Sequence, residues 1–281
     1  DLAKGRTAIV LGASVAGLWT ARVLAGHFDE VLLLDRDQLP EGPELRAGTP
    51  QARQYHILLL AGLQLLRELF PGVEEELIAA GAVPFDLTND VKVRMRGQWL
   101  RQFPSDQRLL SCSRLLLEAM LRRRLRQNPC IRFVEGVEVQ GLIAGPGAAA
   151  VTGVTVVRRA AEGGTAGAPE ELHGDLVVDC LGRRSPTPEW LAALGYPPPT
   201  EASVDSFLGY VTRRYRRPKN FNPPWRMMLI TATAPHSPRG GLIFPEENDT
   251  WVIMMAGANK DYPPTDEAGF DDFARSLDPQ F

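Results

Sequence analysis

Three cysteines and four histidines are too few, and too scattered, for the chemistry those residues usually announce. Cys112, Cys130 and Cys180 show no CxxC spacing and fall far short of a disulfide scaffold, so reduced, buried thiols in apolar surroundings are expected. His27, His56, His173 and His236 form neither an HxxxH nor an HxxE pattern, which leaves a metal centre without a ligand set. No stretch of about 18 uninterrupted apolar residues exists, and no basic-then-apolar leader precedes the first strand. Neither a membrane span nor a signal peptide is expected, and the default location is cytoplasmic. An excess of positive charge is also missing: the net charge of -3 gives nucleic acid or an anionic membrane nothing to hold.

What is present is the balance of a packed globular protein, 44% apolar and 23% charged, over 281 residues, enough for two domains. The first residue is Asp1 rather than methionine, and the closing "FDDFARSLDPQF" is a helix pattern that runs out at Phe281, so a longer protein is expected.

The first regular structure carries the strongest signal. "TAIVL", residues 7–11, reads as a buried parallel strand, "GASVAG" as a tight turn, residues 18–28 as a helix and "EVLLLD" as a second buried strand. Strand, glycine turn, helix and strand make the unit that holds dinucleotides. Gly12 permits the turn, Ser14 stands where the pattern has its second glycine, Ala16 follows, and Gly17 lets the helix approach the sheet. The first N–H groups of the helix then face a phosphate. Ser14 narrows the approach by one hydroxymethyl group, whose hydroxyl is itself a phosphate donor. Asp35, 23 residues after Gly12, suits a ribose 2'-hydroxyl and repels a 2'-phosphate, which points to FAD or NAD rather than NADP.

Downstream, a Pro/Gly-rich stretch leads to a helix pattern from Tyr55 to Phe70, stopped by Pro71-Gly72. "SCSRLLLEAMLRRRLRQNP" reads as a helix capped by Ser113, with Leu116, Met120, Leu121 and Leu125 inward and Arg122 to Arg124 mostly solvated. "IRFVEGVEVQGLIAG" and "VTGVTVVRRA" read as strands of a β-meander, closed by a Gly/Ala-rich hairpin over 161–172, and "DLVVDCLGRRS" as a buried strand ending in a glycine turn. From Ser203 on, apolar or alternating strands with Pro-rich links predict a mixed sheet, to which residues 91–103 add a hairpin. Trp225, Met227, Met228, Phe244, Trp251 and Met254 are expected in its core, and Arg213, Arg214, Arg216, Arg217 and Lys219 on a solvated edge.

In order along the chain, "GASVAGL", "LLLDRD", "PQARQYHILLLAGLQLLRELFPG", "SRLLLEAMLRRRL" and "DLVVDCLGRRSPTPEWLAALGY" resemble the bacterial flavoprotein monooxygenases of the aromatic hydroxylase and squalene epoxidase type. The likeness covers most of residues 7–196, and the later strands and "YPPTDEAGFDDFARSL" resemble that family's substrate-domain sheet and following helix. It implies an α/β fold: a Rossmann-like FAD-binding domain with a parallel sheet and β-meander, plus a mixed-sheet substrate domain. The domains implied are 1–88 and 105–202 for FAD, and 89–104 and 203–281 for the substrate. It further implies cofactor contacts from Gly12, Ser14, Ala16, Gly17, Asp35 and Arg36 in the first unit. Arg53 and Arg114 would act near the pyrophosphate or flavin, and Asp179, Gly182 and Arg183 in the second motif, where Leu181 replaces the more usual polar residue. No catalytic acid or base is implied.

The implied activity is oxidation of a small organic substrate, by hydroxylation or epoxidation, with FAD, NAD(P)H as electron donor and oxygen, through a flavin C4a-hydroperoxide. A flavin-dependent alkene reductase of the isoprenoid type and a non-catalytic flavoprotein-like binding protein are the alternatives. An NAD-dependent dehydrogenase is disfavoured, because no Tyr-x-x-x-Lys or comparable His or Lys constellation follows the turn. The family's closing Gly-Asp motif is absent from these residues, so the C-terminal part of the FAD domain is expected to lie outside them and FAD binding by these residues alone to be weak.

Overall fold

The computed structural model describes residues 6–159, 167–197 and 199–277. They group into two compact units, Asp1–Pro50 with Glu118–Ala202, and Gln51–Leu117 with Ser203–Phe281. By packing, residues 51–88 and 105–117 therefore belong with the second unit. Among the described residues no helix is long and apolar enough to cross a membrane.

In the first unit, β1 (Thr7–Leu11), α1 (Val15–Leu24) and β2 (Glu30–Asp35) follow the expected order, although α1 stops four residues before Phe28 in an Ala25–Gly26 turn. A four-stranded parallel sheet runs in the order Leu176–Asp179, β1, β2, Ile131–Glu135. Its register sets Leu11 beside both Leu34 and Asp179, so the ends of three strands meet at the turn after β1. Ile131–Glu135 is thus a strand of the parallel sheet rather than of the meander. The break comes at Gly136, which donates to the Asp37 carbonyl and accepts from the Arg159 N–H (2.8 Å) instead of continuing the ladder. The meander itself is Val137–Ala144, Val151–Arg158 and Pro169–His173; residues 161–166 of the expected hairpin lie outside the described residues. Its Val137, Val154 and Val156 pack on Ile9, Leu11, Leu32 and Leu34. Leu176–Asp179 is only half-buried, because as an edge strand it has one neighbour, β1.

Gly17 makes the helix-on-sheet packing possible. A Cβ there would stand 1.7 Å from the Gly12 carbonyl oxygen, far inside contact distance, so α1 can cross the turn only where the side chain is a hydrogen.

The second unit is built on a six-stranded mixed sheet in the order Gly209–Arg216, Thr250–Gly257, Arg239–Glu246, Met227–Ile230, Val91–Met95, Gln98–Trp99. The hairpin from residues 91–103 joins it as expected, with Val91–Met95 parallel to Met227–Ile230. Both faces are covered. Phe244, Val252, Met254 and Met227 pack with Phe85 and Leu109 on one side. Trp225, Met228, Ile243 and Trp251 cluster on the other, beside the helix Glu267–Arg275 through Met255, Phe270 and Phe273. All six aromatic and methionine residues expected in the core are buried. The expected helix from Tyr55 begins only at Leu60, because Ile57–Leu58 pairs with Leu110–Ser111 in a small sheet completed by Val83–Asp86. Residues 278–281, the end of the last helix pattern, lie outside the described residues. Cys112 is buried, and burial beside Glu247 and Glu246 pushes its thiol up to about 12; Cys130 and Cys180 are half-buried rather than enclosed.

Asp86 organises the loop that leads into the hairpin. Its carboxylate accepts from the Thr88 and Asn89 N–H groups, from the Ser105 N–H (2.7 Å) and from the Ser105 hydroxyl (2.7 Å). Burial alone would raise its pKa, but these four donors outweigh it and hold the carboxyl well below the usual carboxylate range. A carboxyl depressed on folding contributes its full stabilisation above the unfolded pKa of about 4, and the contribution shrinks as pH falls from there and is lost only through the much lower folded pKa. Urea midpoints at pH 7 and pH 3 are expected to show Asp86→Asn less stable than the parent at pH 7 and the gap narrower, though not closed, at pH 3; parallel pH profiles would refute the role. Gly17→Ala is expected to cost about 2–3 kcal/mol in thermal or urea unfolding. Gly141→Ala, where a Cβ meets nothing within 4 Å, is the control that should stay near the parent.

Candidate nucleotide-binding site

The turn after β1 is shaped by backbone before any side chain acts. Gly12 sits at φ +96°, donates its N–H to the Leu34 carbonyl (2.8 Å), and leaves a Cβ position only 2.8 Å from the Cys180 carbonyl oxygen. A larger residue there is excluded both by conformation and by space. The first N–H groups of α1, at Val15, Ala16 and Gly17, have no carbonyl four residues earlier in the helix to accept them, and they form the anion-receptive end of a ten-residue helix.

The acidic residue at the end of β2 is buried and fully engaged. Asp35 Oδ2 accepts the Ala13 N–H (2.8 Å) and Oδ1 accepts the Asp37 N–H (2.9 Å). Arg46, reaching back from the Pro/Gly-rich loop, places Nη1 3.0 Å from each Asp35 oxygen and 3.1 Å from Asp37 Oδ2, while Nη2 donates to the Ala13 carbonyl (3.1 Å). Asp37 also accepts the Gly48 N–H at 2.6 Å, so the loop is stapled to the turn.

A third buried acid completes the cluster. Glu118 accepts the Ser14 hydroxyl at 3.0 Å and stands 3.8 Å from Arg46 and 3.7 Å from Arg122. Ser14, in the place of the second glycine, therefore turns its hydroxyl toward Glu118. Arg122 is buried, contrary to the solvated position expected for it, and donates to the Pro40 and Gly42 carbonyls. Burial lowers its pKa and Glu118 opposes that; a guanidinium stays charged either way. Arg123 alone of the triplet is exposed.

Beside Arg46 opens a cleft of about 500 Å³ lined by Arg36, Asp37, Gln38, Gly136 and Arg159. Gly12, Ser14, Ala16, Gly17, Asp35 and Arg36 are thus gathered within this unit. Asp179 ends the neighbouring strand, Gly182 and Arg183 lie in the loop after it, and the Cys180 carbonyl at the start of that loop lies against the Gly12 turn. The Asp179 carboxylate is exposed and spent locally, on the Leu181 N–H (2.8 Å) and the Ser185 hydroxyl, and Gly182 and Arg183 are exposed.

Arg53 and Arg114 belong to the second unit. Arg53 is exposed, and its carbonyl accepts Arg214 Nη1 (2.7 Å), which also bonds buried Glu246. Arg214 is exposed on the edge strand Gly209–Arg216, as expected, and its guanidinium turns back to pair with Glu246: burial raises the Glu246 pKa and Arg214 pulls it back. Arg114 Nη1 lies 3.1 Å from His56 Nε2, and His56 Nδ1 lies 3.0 Å from the Gln54 carbonyl. A carbonyl can only accept, so Nδ1 carries the proton and Nε2 receives the guanidinium N–H. At the start of the helix Arg114–Arg126 a carboxylate already stands where an anion was expected: Glu247 accepts the Ser113 N–H (2.9 Å) and hydroxyl.

Three residues central to the site, Arg46, Glu118 and Arg122, were invisible to motif reading. Glu118 and Arg122 do fall on the inward helical stripe with Leu121 and Leu125, which was the available signal. Arg46 lies in a loop without periodicity and offered none.

The sequence profile described as FAD binding domain matches residues 6–277. Protein Rv3254 of Mycobacterium tuberculosis is 32% identical over 262 residues, 92% of this chain and 54% of that protein. Among solved structures, PqsL of Pseudomonas aeruginosa, a probable FAD-dependent monooxygenase, superposes with a TM-score of 0.63 at 12% identity, over 91% of this chain and 61% of its own. The p-nitrophenol 4-monooxygenase PnpA of Pseudomonas putida DLL-E4 gives 0.63 at 16% identity, over 98% and 62%. A triple mutant of the flavin-dependent brominase Bmp2 gives 0.68 at 15% identity, over 97% and 62%. The chain spans about half to three-fifths of the length of these proteins, and at such identities the solved structures speak for the fold alone. With the profile covering nearly every residue, and a glycine turn, helix end and strand-end acid assembled inside it, the chain belongs to the FAD binding domain family.

Proposed function

We propose that this chain forms the FAD-holding and substrate-facing part of a cytoplasmic, NAD(P)H-dependent monooxygenase that hydroxylates or epoxidises a small organic substrate with oxygen. The observation that carries the reading is the tight Gly12–Gly17 turn, where a Cβ at either end would collide with neighbouring backbone, joined to Asp35 within the matched family profile. In this reading residues 1–88 and 105–202 serve FAD, and 89–104 and 203–281 the substrate.

The residues present fit the dinucleotide. The α1 N-terminus, with Gly12, Ser14, Ala16 and Gly17, receives the pyrophosphate on backbone N–H groups. Asp35 accepts from the adenosine ribose, and Arg36 borders the adenosine end. Arg53 and Arg114 are the basic residues that the family pattern associates with the pyrophosphate or flavin, the latter held in direction by His56. Asp179 shapes the Leu181–Ser185 loop that presents Gly182 and Arg183. Bound FAD would supply the redox chemistry, drawing electrons from NAD(P)H and activating oxygen; the protein contributes orientation and exclusion of water.

Full-length protein loaded with FAD and then desalted is expected to keep flavin absorption between about 350 and 500 nm and to oxidise NAD(P)H faster when phenols or alkenes are added. Gly12→Val should lose those bands; a parent protein that retains no flavin would refute the assignment. Asp35→Ala is expected to weaken FAD binding at least tenfold, about 1.4 kcal/mol, in a fluorescence titration.

A further inference from the structure

The engagement of Asp35 by Arg46 sets a condition on how a nucleotide can bind. An ionised carboxylate offers about four acceptor positions. At Asp35 all are taken: Ala13 N–H and Arg46 on Oδ2, Asp37 N–H and Arg46 on Oδ1. A ribose hydroxyl that donates to this carboxylate must displace one of these donors. The two backbone N–H groups are fixed by the glycine turn and by the end of β2. Arg46 is the side chain of the set.

Its hold is also the least satisfied. A guanidinium grips a carboxylate best as a fork, with two nitrogens on two oxygens. Here one nitrogen, Nη1, is shared by both oxygens, Nη2 is spent on the Ala13 carbonyl, and Nε is a buried donor with no acceptor among the described residues. The side chain is 5% exposed and borders the 500 Å³ cleft with Arg36, Gln38 and Arg159, so there is volume next to it. Asp37, already 3.1 Å from Nη1, is a second counter-ion that lines the same cleft.

We propose that Arg46 is a resident competitor for the ribose site: the 2',3'-diol of the adenosine end replaces the Arg46 guanidinium on Asp35, and Arg46 retreats to Asp37 and the cleft. This rests on the FAD reading of the turn and adds to it a residue that sets nucleotide affinity by occupying the cofactor's acceptor. A ligand without the diol has no need to displace it.

The test compares ADP with 2',3'-dideoxy-ADP by calorimetry on the full-length protein freed of flavin, for the parent, Arg46→Gln and Arg46→Lys. Affinity for ADP is expected to rise at least fivefold in the variants, while that for the dideoxy analogue stays within twofold of the parent. Arg46→Gln leaves three buried carboxylates short of a cation; if it unfolds, Arg46→Lys, which keeps the charge but cannot span both oxygens and the Ala13 carbonyl, carries the comparison. Equal effects on the two ligands, or weaker ADP binding, would overturn the competition and leave the FAD reading standing. Absence of ADP and FAD binding to every variant would remove the FAD reading, and the proposal with it.

Discussion

Three carboxylates, Asp35, Asp37 and Glu118, lie out of water within reach of one guanidinium, Arg46, and the geometry of the nucleotide turn follows from that arrangement. Charges so enclosed persist only when paired and hydrogen-bonded, because desolvating each ion costs several kcal/mol. Here the pairing draws together elements far apart in sequence. Arg46 brings a loop with little regular structure against the Gly12 turn, Glu118 anchors Ser14 from the helix Arg114–Arg126, and Arg122 reaches the carbonyls at Pro40 and Gly42. The loop between β2 and Pro50 is thereby held by charge rather than by a core of its own.

The second unit solves a different problem with the same means. Its mixed sheet is apolar on both faces, so the polar connections lie at the strand ends, where Glu246 and Glu247 follow one another. Glu246 is spent on Arg214, which in turn holds the Arg53 carbonyl; Glu247 takes the Ser113 N–H at a helix start. Adjacent residues on one hairpin thus set the positions of both basic segments that motif order associates with the cofactor.

The βαβ unit and the apolar strands of the second sheet were legible because burial imposes a period on sequence: "TAIVL", "EVLLLD" and "TWVIMMAG" carry it plainly. The errors came where partners distant in sequence override the local pattern. Tyr55 to Leu59 has helical spacing, yet Ile57–Leu58 pairs with Leu110–Ser111. Ile131–Glu135 alternates like a meander strand, yet β2 takes it. Arg122 sits in a triplet of arginines that reads as solvated until Glu118, one turn earlier, is seen to be buried with it. Glycine spacing marked the turn, but nothing local in the sequence marked Arg46 as the residue that fills Asp35.

The contact between Gly12 and Cys180 joins two loops separated by almost the whole first unit of the chain. Because the Cys180 carbonyl occupies the space a side chain would need, the two loops behave as a single mechanical part: neither backbone can relax toward the other. Substitutions in the segment after Asp179 that shift the Cys180 peptide will therefore be felt at the head of α1, even where the altered side chain points into solvent. Evolutionary freedom in that exposed segment is limited by a hydrogen atom 168 residues away.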